Sequence, residues 1–203
     1  MSKPPALNPR KRPRQARSAA TVEAILEAAA RILETRGPEG YTTNAVAELA
    51  GVSIGSLYQY FPNKEALTGA LIQRETAVLL EEAGVALREE SGRAALLALI
   101  RAAVAHQLRR PTLARILDFE EGRRPEAHGV PSVRESGVAI LADLLARPDL
   151  PPQSDPDQAA GDVTAMVRGI VDAAGERGET DRAALEQRVA RAVFGYLSTP
   201  KVL

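Results

Sequence analysis

Apolar residues recur at helical spacing in one segment of this chain after another, and Gly or Pro separates the segments. The first apolar face runs from Val22 to Leu33, with its members three or four positions apart, as on one side of a helix. Gly37-Pro38 follows, a pair that ends a helix. No segment alternates apolar and polar residues as a half-buried strand would. The pattern predicts an all-α fold.

The composition favours the same fold. The chain of 203 residues is 45% hydrophobic but only 3% aromatic, so its core must consist mostly of Ala, Leu, Val and Ile. Ala and Leu rank highest in helix propensity, whereas strands favour β-branched and aromatic residues. The sequence contains no cysteine, which excludes disulfides, thiolate catalysis and cysteine-ligated metal sites.

Two features argue against a membrane or secreted protein. No apolar run approaches the roughly 20 residues that a membrane-spanning helix requires. Glu23 and Glu27 follow the basic N-terminus, which does not fit a signal peptide. We therefore expect a soluble, cytoplasmic protein with no membrane partner.

The charges are unevenly distributed, although 26 basic and 26 acidic residues give a formal net charge of zero. Residues 1–17 contain six basic residues, four prolines and no acidic residue, which leaves 20 basic and 26 acidic residues, a net charge of −6, in the rest. We expect residues 1–17 to form a flexible basic arm that either contacts a polyanion or only solubilises the chain. The residues assigned to contacts from this arm are Arg10, Lys11, Arg12, Arg14 and Arg17.

Two short helices are predicted on either side of Gly51-Val52. The first fits Thr43–Ala50, and the second begins at Ser53 and stops before Pro62. Two short helices joined by a tight turn are the layout of a helix-turn-helix. When the residues of the two short helices are placed at steps of about 100° around the helix axis, they fall on an inward and an outward face. The inward residues are Val46, Leu49, Ala50, Ile54, Leu57 and Phe61, and the outward ones are Gly55, Ser56 and Gln59, flanked by Tyr58 and Tyr60.

Polar residues at the predicted helix starts indicate the caps. Thr42 or Thr43 caps the first short helix, and Asn63 caps a long fourth helix that extends to about Glu90. Lys64 lies in the first turn of that fourth helix, where the positive end of the helix dipole disfavours a cation. Lys64 either points to water or helps the helix start to bind a phosphate.

The run AELAGVSIGSLYQYFPNKEAL, from Ala47 to Leu67, resembles the signature of the TetR family of bacterial regulators. Its glycines, its paired tyrosines, Phe61 and Lys64 all fall in register, and the resemblance covers roughly residues 22–71. It implies a three-helix helix-turn-helix DNA-binding domain at residues 18–65. A helical regulatory domain for ligand binding and dimerisation would follow at residues 66–203.

The resemblance also implies contacts with double-stranded DNA. The phosphate-contact positions of the family are occupied by Thr43, Tyr58, Tyr60 and Lys64. The positions that read or approach bases are occupied by Asn44, Ser53, Ile54, Gly55, Ser56 and Gln59. Ile54 fits the core as well, and Asn44 fits an ordinary polar helix start. The basic arm resembles the N-terminal extensions that some members lay along the minor groove.

Further helices are predicted after residue 90, at residues 93–109, 112–121, 132–147, 155–177 and 181–197, with loops at 122–131 and 148–156. The resemblance implies that a small-molecule effector, whose identity is unknown, binds among these helices and releases a repressor from DNA. Pocket candidates are the residues that interrupt an Ala/Leu background. They are His106, Gln107, Phe119, His128 and Met166, and His106 also fits a core position.

The last two predicted helices each carry an apolar stripe that could pack within the chain or against a second copy of it. We predict pairing of both helices with their two-fold mates in a homodimer, because one short recognition helix reads too few base pairs to select a site. The residues assigned to this interface are Val163, Met166, Val167, Ile170, Val171, Leu185, Val189, Val193 and Tyr196.

Other functions fit less well. Gly51-x-Ser53-x-Gly55 matches a hydrolase nucleophile motif, but that motif needs a strand before the serine, and a helix is predicted there. Neither His106 nor His128 has a metal-ligand spacing. We expect no enzyme activity, cofactor or metal. The alternative that stays open is an architectural DNA-binding protein without an effector.

Overall fold

The computed structural model describes the backbone of residues 12–123 and 133–198 and the side chains of residues 18–122 and 137–198. Within these ranges the chain forms helices and no strand, so the all-α prediction is confirmed. The helices are α1 (Arg12–Gly40), α2 (Thr43–Ala50), α3 (Ile54–Tyr60), α4 (Lys64–Ala86), α5 (Gly92–Arg109), α6 (Pro111–Arg123), α7 (Val133–Leu145), α8 (Pro156–Glu176) and α9 (Arg182–Ser198).

Helix α1 begins earlier than the sequence analysis predicts. Residues 12–17, assigned there to a flexible arm, form its first turns. Pro13 is compatible with this start, because a missing N–H in the first turn breaks no helical hydrogen bond. Arg10 and Lys11 lie outside the described residues. At the other end Gly37 has φ 65° and ψ −175°, so the helical path breaks at the predicted Gly37-Pro38 pair.

Helices α2 and α3 form where the sequence predicts them, and their caps explain the bounds. The Thr42 hydroxyl accepts a hydrogen bond from the Ala45 N–H at 3.2 Å, which satisfies a free donor at the start of α2. Gly51 ends α2 in the left-handed region at φ 69°, a conformation that glycine adopts without strain. The Asn63 side chain accepts from the Ala66 N–H at 2.7 Å and caps α4.

The core of the first unit, which ends at Leu71, contains side chains from α1 to α4. Leu49, predicted to face inward, is 46% exposed. The buried face of α2 is centred on Val46 and Ala47, and Leu49 lies more than a quarter of a turn from that centre. The large buried side chains of this core are Ile25, Leu26, Ile32, Leu33, Tyr41, Val46, Leu57, Phe61, Leu67 and Leu71.

Helix α4 contributes to both compact units of the chain. The second unit begins at Ile72, later than the predicted boundary at residue 65, because the first turns of α4 bury Leu67 and Leu71. The helix ends at Ala86, before the predicted end near Glu90.

Helices α5 to α9 lie in the second unit within a few residues of their predicted bounds. Helix α8 packs against α5, α6, α7 and α9. The core between these helices is aliphatic, with Leu96, Ile100, Val104, Leu141, Leu144, Val163, Val171, Leu185, Val189, Val193 and Leu197 among its buried members. None of the described helices is long and apolar enough to cross a membrane.

Part of the predicted dimer interface is wrong, because several residues assigned to it are buried in this core. Val163, Val171, Leu185, Val189 and Val193 are at most 1% exposed within the single chain, so they cannot contact a second one. Their stripes face inward because α8 and α9 pack against each other and against α5. The other assigned residues, Met166, Val167, Ile170 and Tyr196, are only partly buried.

Candidate nucleic-acid interface and a cavity in the second unit

Helix α3 presents a small polar surface at its first turn. Ser53 caps the helix, since its hydroxyl accepts the Ser56 N–H at 3.0 Å, and the two hydroxyl oxygens lie 2.8 Å apart. Gly55 is exposed, and a Cβ atom there would meet only the Ser53 hydroxyl, 3.9 Å away. Leu57, which is 0% exposed, anchors the helix from the opposite side. The surface therefore allows a groove edge to approach the backbone closely.

The exposure of the other predicted base-contact residues agrees with this orientation. Gln59 and Asn44 are exposed. Ile54, which the sequence placed near the core, is 37% exposed, because it is the first residue of α3 and precedes the buried turn. An exposed Ile54 can offer only an apolar contact, such as one with a thymine methyl group.

Two predicted phosphate-contact residues meet across the turn between α2 and α3. The Thr43 and Tyr58 hydroxyl oxygens lie 3.1 Å apart and share a hydrogen bond. The Tyr58 side chain is 47% exposed, and Tyr60 is half-buried. Because one hydroxyl donates to the other, only the accepting hydroxyl keeps a proton that it can donate to a phosphate oxygen.

Lys64 lies over a buried aromatic ring that the sequence analysis did not single out. Its Nζ is 4.8 Å from the centroid of the Tyr41 ring, a cation–π distance. Tyr41 is 3% exposed, and its hydroxyl lies 3.2 Å from that of Thr68. This contact holds an exposed cation at the start of α4, where it can join backbone N–H groups in binding an anion. An aromatic residue directly before the Thr42 cap indicates packing at the start of α2, but no local signal indicates its contact with Lys64.

The sequence Gly51-x-Ser53-x-Gly55, which matches a hydrolase motif, forms a turn and a helix cap in this structure. Ser53 follows the turn after α2 rather than a strand, and its hydroxyl accepts the Ser56 N–H as a helix cap. Within the described residues, moreover, no group of three or more His, Asp or Glu side chains is arranged to hold a metal ion.

The second unit contains a cavity of about 210 Å³ bounded by α4 to α8. Most of its wall is aliphatic, with Leu79, Leu80, Leu96, Leu99, Ile100, Ile140, Leu141, Val163, Val167 and Val171. Its polar side chains are Thr76, His106, Gln107, Asp118, Glu121, Thr164 and Arg168.

Only part of the predicted pocket set lines this cavity. His106 and Gln107 do. Phe119 is 64% exposed, since it lies on the outer side of α6, and Met166 packs on the core outside the cavity wall. His128 lies outside the described residues.

An ion pair and a half-buried imidazole belong to the polar part of the wall. Arg168 donates from Nε to Asp118 at 3.0 Å, and its Nη2 lies 2.9 Å from the other carboxylate oxygen. Burial raises the pKa of Asp118 to about 6, against the opposing effect of Arg168. Burial, followed by the charge of Arg109, lowers the pKa of His106. Its Nδ1 is buried and has no hydrogen-bond partner within the described part of the chain.

The sequence analysis missed the charged residues of this wall. Glu121 is buried and continues the row of Leu113 and Leu117 on α6 at intervals of four residues. A charged residue in an otherwise apolar helical row was the signal that could have identified it.

Two family models match the chain. Residues 25–71 match the model of bacterial regulatory proteins of the tetR family. Residues 93–197, which are more than half of the chain, match the tetracyclin repressor-like C-terminal domain. The chain belongs to the TetR family. Its residues 25–71 accordingly form the helix-turn-helix domain of bacterial regulatory proteins.

Curated relatives match the chain over part of its length. An uncharacterized HTH-type transcriptional regulator of Mycobacterium tuberculosis is 39% identical over 66 residues, 32% of this chain and 33% of that protein. The nucleoid occlusion factor SlmA of Glaesserella parasuis is 32% identical over 81 residues, 40% of each chain. These matches span about a third to two fifths of the length of the relatives.

Solved structures share the fold over nearly the whole chain. A TetR-like transcriptional regulator from Rhodococcus sp. RHA1 has a TM-score of 0.73 at 21% identity, covering 89% of this chain and 97% of that one. The fatty acid degradation regulator FadR from Bacillus halodurans has a TM-score of 0.73 at 18% identity, with the same coverage. A TetR-family regulator from Streptomyces coelicolor has a TM-score of 0.63 at 26% identity, covering 87% and 99%.

Proposed function

We propose that this TetR-family protein is a cytoplasmic transcriptional repressor that binds a near-palindromic operator as a homodimer and is released by a small molecule. The observation that carries the proposal is the cavity of about 210 Å³ in the second unit, with its aliphatic wall and few polar groups. A mostly apolar cavity with a few convergent polar side chains is the usual form of a small-molecule site.

The DNA-binding part of the proposal is supported by the surface of α3. Gly55 and Gln59 are exposed there, with Ile54 37% exposed, and a major groove admits such a helix with polar tips against the base edges. The paired Thr43 and Tyr58 hydroxyls and Lys64 flank this surface and suit phosphate oxygens. The basic residues assigned to the N-terminal arm, of which Arg12, Arg14 and Arg17 lie in the first turns of α1, would add contacts that do not depend on sequence.

The homodimer is supported by the outer faces of α8 and α9. Met166, Ile170 and Tyr196 pack on the core but keep part of their surface outside it. Gly169 and Gly195 are exposed beside them, so these helix faces can approach a second copy closely. Isologous pairing of such faces would bring two recognition helices to an inverted repeat.

Release by a ligand follows if occupancy of the cavity favours a conformation that binds the operator less tightly. Helix α4 supplies Thr76, Leu79 and Leu80 to the cavity wall, while Lys64 forms its first residue. One continuous helix thus carries both a cavity wall and a proposed phosphate contact. A change in the position of that helix is the simplest way for ligand binding in the cavity to affect the phosphate contact.

The test begins with selection of genomic DNA fragments by the purified protein and mapping of the bound site by footprinting. We expect two inverted half-sites with centres about 34–36 Å apart or a multiple of that spacing. A panel of aliphatic alcohols, amides, amines and acids is then screened by thermal shift. Each binder is tested for release of the operator in a fluorescence anisotropy assay.

Two results would contradict the proposal. If one chain bound a single asymmetric site, the proposed binding of the operator by a homodimer would be wrong. Binders that raise the melting temperature but leave operator affinity unchanged would favour the effector-independent, architectural alternative.

A further inference from the structure

The aromatic ring beneath Lys64 is buried, although Lys64 itself is exposed. Tyr41 lies in the two-residue connection between α1 and α2, and its side chain is 3% exposed. The Lys64 Nζ lies 4.8 Å from the centroid of this ring. Of the four lysines of the chain, Lys64 is the one that lies in the described residues. An exposed cation therefore lies on a ring that the packed core around it holds in place.

Two hydrogen bonds in series fix the same ring at its hydroxyl. The Thr68 hydroxyl donates to the Lys64 carbonyl oxygen at 2.9 Å, and the Tyr41 and Thr68 hydroxyl oxygens lie 3.2 Å apart. Thr68 has one hydroxyl proton, which goes to the carbonyl oxygen, so the Tyr41 hydroxyl donates to Thr68. Thr68 is 7% exposed, and a buried hydroxyl that loses its partner is destabilising. Tyr41 is thus bonded to the first turn of α4, which begins at Lys64.

The ring restrains Lys64 without occupying the groups that a phosphate contacts. A carboxylate partner would neutralise the lysine, whereas the face of an aromatic ring attracts the cation and leaves it charged. An ammonium group has three N–H donors, and those that point away from the ring stay available. A free lysine loses rotamer freedom when it binds a phosphate. A lysine that already lies against a ring loses less.

We propose that Tyr41 is a positioning residue for DNA binding, which orders Lys64 before the DNA is bound and so strengthens its contact with a phosphate. The inference rests on the proposed function, because it requires Lys64 to contact a phosphate. Tyr41 also directly precedes the Thr42 cap of α2. One buried side chain therefore connects the starts of α2 and α4, where the proposed phosphate contacts Thr43 and Lys64 lie.

The position of Lys64 over the ring is tested first, without DNA. Reductive methylation of the full chain with isotope-labelled formaldehyde converts each lysine to a dimethyl cation, which keeps its charge and gives its own NMR signal. Methyl groups over the face of an aromatic ring are shifted upfield by the ring current. We expect the signal that Lys64→Arg removes to lie upfield of the other lysine signals. Tyr41→Leu should return it to their position.

The effect on DNA binding is tested by a double-mutant cycle. The affinity for a random duplex of fixed length is measured by fluorescence anisotropy for wild type, Tyr41→Leu, Lys64→Met and the double variant. For each chain bound, Tyr41→Leu should weaken binding about two- to five-fold, the equivalent of one exposed cation–π contact. In combination with Lys64→Met it should have no further effect, because a residue that acts only through another is non-additive with it.

Two further variants separate positioning from folding. Tyr41→Phe keeps the ring and removes the hydroxyl, so it should lower the melting temperature but retain the upfield lysine signal and an affinity close to that of wild type. Phe61→Leu is the matched control, because it removes another buried ring of the first unit. Any loss of affinity that it causes should be equal with and without Lys64→Met. The lysine signal of the wild-type protein remains a test even if Tyr41→Leu does not fold.

The inference is overturned if the Lys64 signal of the wild-type protein is not shifted. It is also overturned if Tyr41→Leu does not weaken binding, or weakens it equally with and without Lys64→Met, which would make Tyr41 a purely structural residue. Failure of the proposed phosphate contact gives a different pattern, in which the lysine signal is shifted but Lys64→Met leaves the affinity unchanged. Tyr41 would then order a lysine that does not contact DNA, and both the contact and the inference would be wrong.

Discussion

The hydroxyl oxygens of Thr43 and Tyr58 lie 3.1 Å apart, although 15 positions separate the two residues in the chain. One belongs to the first turn of α2 and the other to α3, so the hydrogen bond fixes the two halves of the helix-turn-helix at its exposed edge. The sequence analysis predicts both residues as phosphate contacts. The pair places two oriented hydroxyls on one side of the recognition helix.

Tyr58→Phe tests this arrangement. The substitution removes one hydroxyl and leaves the ring, so the fold should be kept. Because a phosphate contact carries no sequence information, we expect affinity to fall about five-fold on the operator and on random duplex alike, as measured by fluorescence anisotropy. A loss confined to the operator would show that Tyr58 reads bases instead.

Gln59→Ala and Asn44→Ala should behave differently. Both side chains are exposed and can form paired hydrogen bonds with adenine. Each substitution should cost about 1–3 kcal/mol on the operator and much less on random DNA. Titrations of both duplexes at one fixed salt concentration measure the difference. Equal losses of affinity on the two duplexes would show that these residues contact the DNA backbone and do not read the bases.

Leu57→Ala and Leu49→Ala form a matched pair for stability. Leu57 is 0% exposed and Leu49 is 46% exposed, although both belong to the helix-turn-helix. Truncation of a buried leucine leaves a cavity, so Leu57→Ala should lower the free energy of unfolding by about 2–5 kcal/mol, whereas Leu49→Ala should change it by about 0.5 kcal/mol or less. Chemical denaturation measures both. Equal effects would mean that Leu49 is covered in solution.

The contrast between these leucines shows what the sequence could and could not predict. Helix caps, such as Asn63 on α4, follow from signals within a few residues, and the sequence predicts them. The inward side of α2 does not follow, because eight residues contain too little periodicity to distinguish Leu49 from Ala47. Periodicity shows that a helix has an apolar face but not what covers it.

The cavity wall could not be predicted from the sequence either, because its residues are far apart in the chain. Asp118 and Arg168 are 50 positions apart, and only packing of α6 against α8 brings them together. Likewise the stripes through Val163 and Val189 fitted an external interface as well as an internal core, until the structure placed them inside. His106 and Gln107 could be identified because a polar pair interrupts an apolar run.

Asp118 should make stability depend on pH. Burial raises its pKa from the ordinary value of 3.8 to about 6 in the folded chain, so the folded state binds more protons between those values. Its contribution to stability is therefore fully present below about pH 4 and is lost as pH rises through about 6. The free energy of unfolding of wild type minus that of Asp118→Asn should fall by about 2 kcal/mol from pH 4 to pH 7, after allowance for partial exposure.

Denaturation of both proteins at pH 4, 5, 6 and 7 supplies that difference. His106 has a lowered pKa, so its own contribution is lost as pH falls and has the opposite sign. It is present in both proteins and cancels in the comparison. A difference that rises with pH would show that Arg168 outweighs burial and that Asp118 is an ordinary paired carboxylate.

The dimer can be tested at two glycines of the proposed interface, Gly169 on α8 and Gly195 on α9. Both are exposed, and among the described residues an added Cβ at either position meets no atom within 4 Å. Gly169→Gln and Gly195→Gln should therefore leave the protomer intact. The higher helix propensity of Gln relative to Gly even favours each helix by about 0.5–1 kcal/mol.

A second chain packed against these faces would meet the new side chains, which would hold the helices apart. We expect the double variant to be a monomer by light scattering, with helix content by circular dichroism unchanged and operator affinity at least ten-fold lower. Gly84→Gln is the matched control, because Gly84 is an exposed glycine on α4 with equally open surroundings, and it should remain a dimer. A double variant that stays dimeric and binds the operator normally would place the interface elsewhere, whereas a monomer with unchanged operator affinity would show that one recognition helix suffices.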